Sequence, residues 1–371
     1  MLKVVKRYFR NLPRRYRRYY VKFHHNRIDI PRQKRQLANY NTSITKVVDG
    51  IEDTGSGRYC IFVLYAPNGM LQNNVVNALD AMRSKGINVL ACLNAPLSSE
   101  AAEVLSGKAH KVISRDNIGY DFGAYKDCVK YIKESLPNAL QVLILNDSVF
   151  FIKNGLSDFF EKMFLSYDAV AAFENWGDNS ANHFQSFAVT VSGGVFFSGP
   201  FQTFWSQYVP VSSRLHAIEE GEKKLSDAIL KSAKNSKVLY TCAELAVCLN
   251  DISSEVLCSD IVVPISYRGM LMAGEKRTFS LGGRYRDVID IVNISSPVHT
   301  GSWLFPKFLG APIIKKDTIY RQRFQFWEVQ TLFKDLLTPE EASEFDTMLR
   351  AKGNYEKLDA AGLVQYRLGI G

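Results

Sequence analysis

Residues 110–126 read HKVISRDNIGYDFGAYK. The apolar residues over 110–114 predict a strand, and the pattern over 123–135 predicts a helix. Between them lies a polar turn with one cation, two carboxylates, an amide and two glycines in or beside it. Glycine permits tight turns and close approach of the backbone to a ligand. The stretch therefore predicts a strand–turn–helix unit whose turn binds a ligand.

The same alternation of strand and helix extends on both sides of this unit. Strands that are apolar throughout and alternate with helices indicate a mostly parallel sheet covered on both faces. The expected fold class is therefore α/β, and ligands in such sheets bind at the carboxyl ends of the strands. Further strands are predicted over 60–65, 87–93, 140–145, 168–173, 184–197 and 258–263, with further helices over 70–84, 98–106, 155–165, 200–207 and 221–234.

The two ends of the chain differ from this region. Residues 1–35 carry 13 Lys and Arg against one acid, Asp29, which is a net charge of +12 in a protein of net charge +9. The predicted organisation has four parts: a basic aromatic arm, a linker, the α/β domain and a helical C-terminal extension. They span residues 1–45, 46–58, 59–322 and 323–371.

The basic arm predicts association with an anionic surface. Basic residues attract anionic lipid by about 1 kcal/mol each near the surface, and aromatic side chains suit the headgroup boundary. A solvated or partner-docked arm is the alternative. No zinc-finger spacing or aromatic RNA-binding signature accompanies the arm, so a nucleic-acid partner is not expected. No signal peptide and no apolar run of about 18 residues occurs, so we expect a cytoplasmic protein, peripheral at the inner face of the plasma membrane.

The six cysteines form no CxxC pair. We expect them to be free thiols in a reducing compartment. The chain also has no GxxxxGK[ST], GxGxxG, GxSxG or HExxH motif. These absences argue against a P-loop kinase, a dehydrogenase, a hydrolase with a nucleophile elbow and a zinc protease.

The turn after the strand at 110–114 is the predicted donor site. Arg115 can meet a diphosphate bidentately. Asp116 or Asp121 can accept a hydrogen bond from a ribose, base or sugar hydroxyl. Asn117 and Gly119 complete the predicted donor-binding set. The alternative is a capped turn with Asp121 at the N-terminus of the helix.

A second polar motif, Asn146-Asp147-Ser148, follows the strand at 140–145. An Asp at the end of a buried strand is costly unless it is paired, hydrogen-bonded or bound to a metal. Asp147 is the predicted ligand of a divalent ion, Mn²⁺ or Mg²⁺, and Asn146 and Asp147 are predicted to contact the donor. The alternative is a turn cap.

Three further groups carry predicted roles. His183 and Gln185 open a strand and can face an acceptor sugar, although a structural role for His183 is the alternative. Glu222 can act as the base that deprotonates an acceptor hydroxyl, or can favour a helix start through the helix dipole. Near the C-terminus, His299 can complete a metal or diphosphate site. Lys315 and Lys316 can neutralise phosphate, unless they lie on the surface.

At these motifs the sequence resembles the rhamnan synthesis protein F family of polysaccharide-assembly glycosyltransferases. The resemblance spans roughly residues 60–320, and its motifs occur in consistent order. The matching segments are RDNIGYDFGAYK (115–126), LILNDSVFF (143–151), HFQSFAVTVS (183–192), GEKKLSDAIL (221–230) and SPVHTGSWLFPKFLGAPIIKKDTI (296–319).

The resemblance implies a GT-A-like fold with one nucleotide-sugar-binding domain, donor recognition around Arg115–Asp121, and a metal or donor role for Asp147. The predicted reaction moves a sugar from a UDP- or dTDP-linked donor to a hydroxyl of a lipid-linked glycan, with inversion. Asp121 and Glu222 are the predicted catalytic residues, and other polysaccharide-assembly enzymes are expected partners. An inactive transferase-like scaffold and a nucleotidyltransferase are the alternatives.

Overall fold

A computed structural model describes residues 23–175, 182–250, 284–294, 296–318 and 326–352. The described residues contain a mixed sheet of eight strands in the order β1-β4-β3-β2-β5-β10-β7-β11. Two small sheets pair β6 with β12 and β8 with β9. The strands are β1 Ile44–Asp49, β2 Arg58–Leu64, β3 Asn88–Leu93, β4 Lys111–Arg115, β5 Gln141–Asn146, β6 Val149–Phe151, β7 Ala169–Ala171, β8 Glu174–Asn175, β9 His183–Phe184, β10 Ala188–Ser192, β11 Ser236–Val238 and β12 Ile313–Lys315.

The helices lie along the chain between and after these strands. They are α1 Ile30–Gln36, α2 Asn73–Ser84, α3 Ser99–Ser106, α4 Tyr120–Ser135, α5 Leu156–Met163, α6 Gly193–Phe196, α7 Gly199–Gln207, α8 Arg214–His216, α9 Lys223–Leu230, α10 Cys242–Asn250, α11 Arg284–Ile294, α12 Pro297–Thr300, α13 Leu304–Leu309, α14 Phe326–Phe333 and α15 Pro339–Lys352. A π-helical turn, His25–Asp29, precedes α1, and a second, Ala217–Glu222, joins α8 to α9.

The expected α/β fold class, with a mostly parallel sheet covered by helices, is confirmed. β4, β3, β2 and β5 pair in parallel, as do β7 and β11. β1 and β10 run antiparallel to their neighbours. Successive residues of β2 enter different cores: Cys60 and Phe62 pack in one, Tyr59 and Ile61 in the other. This alternation explains why the central strands are apolar throughout, because each face of the sheet is covered.

The region between the arm and the α/β domain differs from the prediction. Residues 46–58 were expected to be a linker, but β1 (Ile44–Asp49) reaches into that range and pairs antiparallel with β4. Its residues are half-buried or exposed because it is an edge strand. An edge strand that buries little apolar surface shows no clear hydrophobic alternation, and charged residues are common there. The strand therefore resembles a linker in sequence.

A second difference concerns residues 184–197, which were expected to form one strand. The structure has β9, then β10, then the short helix α6 from Gly193 to Phe196. The Ser192 side chain accepts a hydrogen bond from the Val195 amide, which is the N-cap arrangement that starts a helix. The strand predicted over 258–263 lies outside the described residues, as do residues 1–22 of the arm.

Free thiols were expected, and five of the six cysteines are free in the structure: Cys60, Cys92 and Cys128 are buried, and Cys242 and Cys248 are half-buried. Cys258 lies outside the described residues. Across the described ranges, no helix has both the length and the apolar character that a membrane crossing needs.

Thr338 and Glu341 form a reciprocal cap at the start of α15. The Glu341 amide donates to Thr338 Oγ1 (3.3 Å), and the Thr338 amide donates to Glu341 Oε2 (3.0 Å). Glu341 Oε1 also accepts from the Lys153 amide at 2.6 Å. This helix is therefore tied to the loop that follows β6.

Replacing Thr338 by alanine should lower the free energy of unfolding by about 1 kcal/mol, because one orphan amide of α15 loses its acceptor. Urea unfolding monitored by circular dichroism measures the change. Thr347→Ala is the matched control, since this exposed threonine lies inside the same helix. An equal loss in both variants would contradict the capping role.

Candidate functional site

Two predicted motifs meet at the carboxyl edge of the sheet. Asn146, the last residue of β5, donates from Nδ2 to Asp121 Oδ2 (2.9 Å) in the first turn of α4. Asn146 Oδ1 accepts from the amide (3.0 Å) and the hydroxyl (2.6 Å) of Ser148. Lys315 Nζ donates to the same hydroxyl at 2.8 Å. Three predicted donor-binding residues, Asp121, Asn146 and Lys315, are therefore linked to one another directly or through Ser148. We call these four residues, Asp121, Asn146, Ser148 and Lys315, the donor array.

Asp147 lies beside the donor array and faces the end of β2. Its Oδ2 accepts from the amide of Tyr65 at 3.3 Å and lies 4.0 Å from Lys316 Nζ. Lys316 Nζ also donates to Gln72 Oε1 at 2.8 Å. The Tyr65 side chain is half exposed at this edge. Asp147 therefore accepts from the backbone, as a turn cap does, and also faces a cation.

A second group of polar residues surrounds Glu222. Its Oε2 accepts from the amide (2.9 Å) and the hydroxyl (2.7 Å) of Ser186, and its Oε1 lies 3.4 Å from His183 Nε2. Burial raises the pKa of this carboxyl, but the hydrogen bonds from His183 and Ser186 outweigh it and hold the pKa below its ordinary value. Glu222 is therefore ionised at neutral pH.

The backbone around Glu222 is unusual. The residue ends the π-helical turn Ala217–Glu222, and such turns occur frequently at functional sites. Gly221 packs so closely on α4 that a Cβ there would lie 2.8 Å from the ring of Phe122. The π turn and this close approach together place the Glu222 carboxylate against Ser186 rather than on the outer face of the helix.

Gln185 begins a chain of hydrogen bonds that reaches the other predicted histidine. Its Nε2 donates to Ser296 Oγ (3.0 Å), which lies 2.8 Å from His299 Nδ1. His299 Nε2 lies 3.0 Å from Asp317 Oδ1. Because a carboxylate only accepts, Nε2 carries the hydrogen of its bond to Asp317. Both nitrogens of His299 are thus engaged, and Asp317 is a member of the site that the sequence analysis missed.

The turn between β4 and α4 has a constrained backbone. Gly119 has φ of +72°, and a Cβ there would lie 2.4 Å from Pro210 Cβ. Tyr120 follows with φ of +52°, which is uncommon for a bulky residue. A Cβ on Gly123 would lie 1.9 Å from the carbonyl oxygen of Ile118. Strain of this kind clusters at ligand-binding turns, so it supports the predicted importance of this segment.

Arg115 does not take the position that its predicted role needs. Its side chain is 0% exposed, with Nε donating to Asp127 Oδ2 (3.0 Å) and the guanidinium donating to Ile118 O (2.7 Å) and to Asn94 Oδ1. The geometry therefore does not support direct contact with a diphosphate. It supports a positioning role, since Arg115 holds the carbonyl of the turn. Asp116 and Asn117, by contrast, are exposed at the edge of the sheet.

Asp127 is the partner that the sequence analysis missed. Its buried carboxylate accepts from Arg115, from Tyr40 Oη (2.8 Å) and from both the amide (3.2 Å) and the hydroxyl (2.9 Å) of Ser43. A carboxylate on the apolar face of a helix needs such partners. The position of Asp127 between the buried Tyr125 and Cys128 is the signal that could have revealed the pair.

The predicted ligands of a divalent ion, Asp147 and His299, both contact other side chains. In the part of the chain that the structure describes, no group of three or more His, Cys, Asp or Glu side chains is placed to hold a metal. Asp147 faces the ammonium group of Lys316, and both nitrogens of His299 are within hydrogen-bonding distance of Ser296 and Asp317. The role of Asp147 and His299 as metal ligands therefore stays a prediction.

Comparison of the chain with known proteins supports the family resemblance that the sequence motifs indicated. The family model of rhamnan synthesis protein F matches residues 89–258. An uncharacterised protein of Sinorhizobium fredii is 27% identical over 174 residues, which cover 46% of this chain and 45% of that relative. The chain thus matches less than half the length of this relative.

Solved structures show only a distant likeness. A mannosyltransferase from Pyrobaculum calidifontis, in complex with GDP-mannose and Mn²⁺, aligns over 92% of this chain and 99% of its own at 9% identity, with a TM-score of 0.28. A protein described as a glucose-1-phosphate thymidylyltransferase from Bacillus anthracis, in complex with sucrose, aligns over 48% and 85% at 10% identity, with a TM-score of 0.32. These scores are low, and nothing about the substrate of this chain follows from them.

The family match covers β3, β4 and β5, and it includes the turn at Arg115–Asp121, the Asn146-Asp147-Ser148 motif, and both His183 and Glu222. Four of the five segments that carried the resemblance in the sequence lie entirely within it, and the fifth, residues 296–319, lies outside it. The predicted resemblance is therefore confirmed: over residues 89–258 this chain matches the rhamnan synthesis protein F family.

Proposed function

We propose that this chain is a glycosyltransferase that moves a hexosyl group from a nucleotide-sugar donor to a hydroxyl of a lipid-linked glycan. The donor array carries the proposal. Asp121, Asn146 and Lys315 come from three separate segments and converge at the carboxyl edge of parallel strands, where α/β sheets bind nucleotides. The family match supports a role in the synthesis of a surface polysaccharide.

The proposed reaction breaks the bond between the anomeric carbon and the diphosphate oxygen of the donor. The electron pair leaves with the nucleoside diphosphate, and positive charge develops on the sugar ring. Asp121 is proposed to stabilise that positive charge, and Lys315 and Lys316 are proposed to stabilise the departing diphosphate. Exposed Asp116 and Asn117 are proposed to bind the nucleoside, for which UDP or dTDP is our expectation.

The acceptor is proposed to approach from the side of Glu222. An acceptor oxygen attacks the anomeric carbon from the face opposite the leaving diphosphate, which inverts the configuration, and Glu222 takes its proton. Glu222 is ionised at neutral pH, as a base must be. His183 Nε2 lies 3.4 Å from this carboxylate, and Gln185 directly precedes Ser186, which donates to it. His183 and Gln185 are proposed to bind the acceptor sugar.

The basic arm is proposed to hold the protein at the inner face of the plasma membrane. A lipid-linked acceptor is confined to that surface. Holding the enzyme there therefore raises the effective concentration of the acceptor around the enzyme. The described part of the arm is joined to the donor turn: the Ser212 amide donates to Gln33 Oε1 (3.0 Å), and the Gly119 amide donates to Ser212 Oγ (3.0 Å). Other polysaccharide-assembly enzymes are proposed to gather at the same membrane surface.

The test is release of nucleoside diphosphate from a panel of UDP-, dTDP- and GDP-sugars with a glycolipid acceptor. We expect release from one donor, and about a tenfold loss or more in Asp121→Asn, because that variant removes a charge facing the developing cation. Asp158→Asn is the matched control, since Asp158 is exposed on α5. A folded protein that binds and turns over no donor would instead favour the scaffold alternative.

A further inference from the structure

A short loop contacts both the basic arm and the turn that joins β4 to α4. We call residues 210–213, which precede α8, the bridging loop, and residues 116–119 the donor turn. The Gly119 amide donates to Ser212 Oγ at 3.0 Å. A Cβ on Gly119 would lie 2.4 Å from Pro210 Cβ, so the loop and the turn approach closely. The bridging loop therefore contacts the donor turn at the residue after which α4 begins.

The arm contacts the bridging loop through two side chains. The Ser212 amide donates to Gln33 Oε1 at 3.0 Å. The buried hydroxyl of Ser213 lies 2.8 Å from Nε2 of the buried His25. Because the Ser212 hydroxyl accepts from the Gly119 amide, Gln33 is linked to that amide by two hydrogen bonds. Gln33 therefore reaches the donor turn through Ser212.

The arm also contacts the opposite end of the donor turn. The Asp116 amide donates to the Ser43 carbonyl at 3.1 Å. The hydroxyls of Ser43 and Tyr40 both donate to the buried carboxylate of Asp127, which anchors this end of the arm to α4. The stretch of the arm between Gln33 and Ser43 is therefore joined to the donor turn at the first and at the last residue of the turn.

The conformation of the donor turn needs support from its surroundings. Gly119 and Tyr120 have φ of +72° and +52°, and a left-handed conformation is uncommon for a tyrosine. A strained backbone persists only where the surrounding structure holds it firmly. Asp116 and Asn117, which are exposed and predicted to bind the donor, belong to this turn. Their placement therefore depends on the contacts at both ends of the turn.

We propose that Gln33 of the basic arm is a positioning residue for donor binding, which acts through Ser212 on Gly119 and so sets the conformation of the donor turn. This inference rests on the proposed function, and it gives the arm a role in donor binding besides its proposed role at the membrane. A binding loop that is held in its bound conformation loses less entropy when the ligand binds. Loss of Gln33 should therefore weaken donor binding and leave the chemical step unchanged.

The test is steady-state kinetics of the full-length protein with a glycolipid acceptor and the nucleotide-sugar that the wild type turns over. Gln33→Met has a side chain of similar size without an amide oxygen. We expect it to raise the donor KM about fivefold or more, since one hydrogen bond is lost, while kcat changes by less than about twofold. Gln33→Glu keeps an oxygen that accepts from the Ser212 amide, so its donor KM should lie within about twofold of the wild-type value.

Ser212→Ala tests the same connection at its second hydrogen bond, because it removes the acceptor of the Gly119 amide. It should also raise the donor KM about fivefold or more, and adding Gln33→Met to it should raise KM little further, since the two changes break one connection. Gln36→Met is the matched control, because Gln36 is exposed on the same helix α1. It should have the donor KM of the wild type, and circular dichroism should show that the variants are folded.

The outcomes separate this inference from the proposed function. A wild type that turns over its donor, with a KM that is unchanged in Gln33→Met and in Ser212→Ala, would overturn the positioning role and leave the transferase intact. A lower melting temperature in these variants with an unchanged donor KM would likewise reduce Gln33 to a structural contact. A folded wild type that binds and turns over no donor would overturn the proposed function, and the positioning role with it.

Discussion

Replacing Asp127 by alanine is expected to lower the free energy of unfolding by about 3–5 kcal/mol. The substitution leaves the guanidinium of Arg115 buried without its carboxylate, because both side chains are 0% exposed. Ser43 and Tyr40 lose an acceptor at the same time. Equilibrium unfolding in urea, with the midpoint and the slope recorded separately, measures the loss.

The double variant Arg115→Met/Asp127→Leu separates two contributions to the free energy of unfolding: the cost of leaving one charge buried without its partner, and the net contribution of the intact ion pair. Two apolar side chains leave no buried charge, so this variant should be more stable than Asp127→Ala alone. Asp158→Ala is the exposed control and should change stability by about 0.5 kcal/mol or less. A double variant less stable than Asp127→Ala would show that the pair itself stabilises the fold.

Loss of Asp127 should also affect the donor turn. Arg115 donates to the carbonyl of Ile118, which directly precedes the left-handed Gly119. Without Asp127, nothing anchors Nε of that arginine, and the turn loses one of its supports. Donor binding in Asp127→Ala should therefore weaken even at temperatures where the variant remains folded.

The layout of the α/β region could be predicted because its signals are local. Each central strand is an apolar run bounded by polar residues, and helices separate the runs. The positions of the donor turn and of Asn146-Asp147-Ser148 follow from this, since both come directly after predicted strands. The glycines of the turn were also informative, because Gly119 adopts a conformation that other residues rarely adopt.

The direction of the Arg115 side chain could not be predicted in the same way. From the sequence, Arg115 is a cation at a strand end, where a diphosphate would bind. Its actual orientation depends on Asn94, at the end of a neighbouring strand, and on Asp127, which is itself held by Tyr40. These partners come from other elements, and a pattern along the chain does not encode such contacts.

Lys315 and Lys316 illustrate the same limit. The sequence suggested that Lys315 and Lys316 could neutralise phosphate, and surface placement was the alternative. Their burial follows from the pairing of β12 with β6, which joins segments more than a hundred residues apart. Likewise, the orientation of His299 depends on Ser296 and Asp317, and only Ser296 lies in the same turn of helix.

Glu222→Gln is expected to reduce kcat by about 10²–10⁴-fold, the range typical of removing a general base, while donor binding stays unchanged. The substitution is nearly isosteric. Its amide oxygen can still accept from the amide and hydroxyl of Ser186, so the local structure should persist. What the variant loses is the capacity to take a proton. Ser186→Ala is the matched control, because it removes one hydrogen bond and keeps the carboxylate.

The lowered pKa of Glu222 predicts how the stability of the fold and kcat depend on pH. The carboxyl is ionised more readily in the folded than in the unfolded chain, where its pKa is about 4.3. Its contribution to stability is therefore complete above that value and is lost as the pH falls through the lower folded-state pKa. The stability difference between wild type and Glu222→Gln should be constant at neutral pH and shrink only in acid. An acid limb in kcat near neutral pH that survives in Glu222→Gln would assign the base to another group, with His183 the nearest alternative.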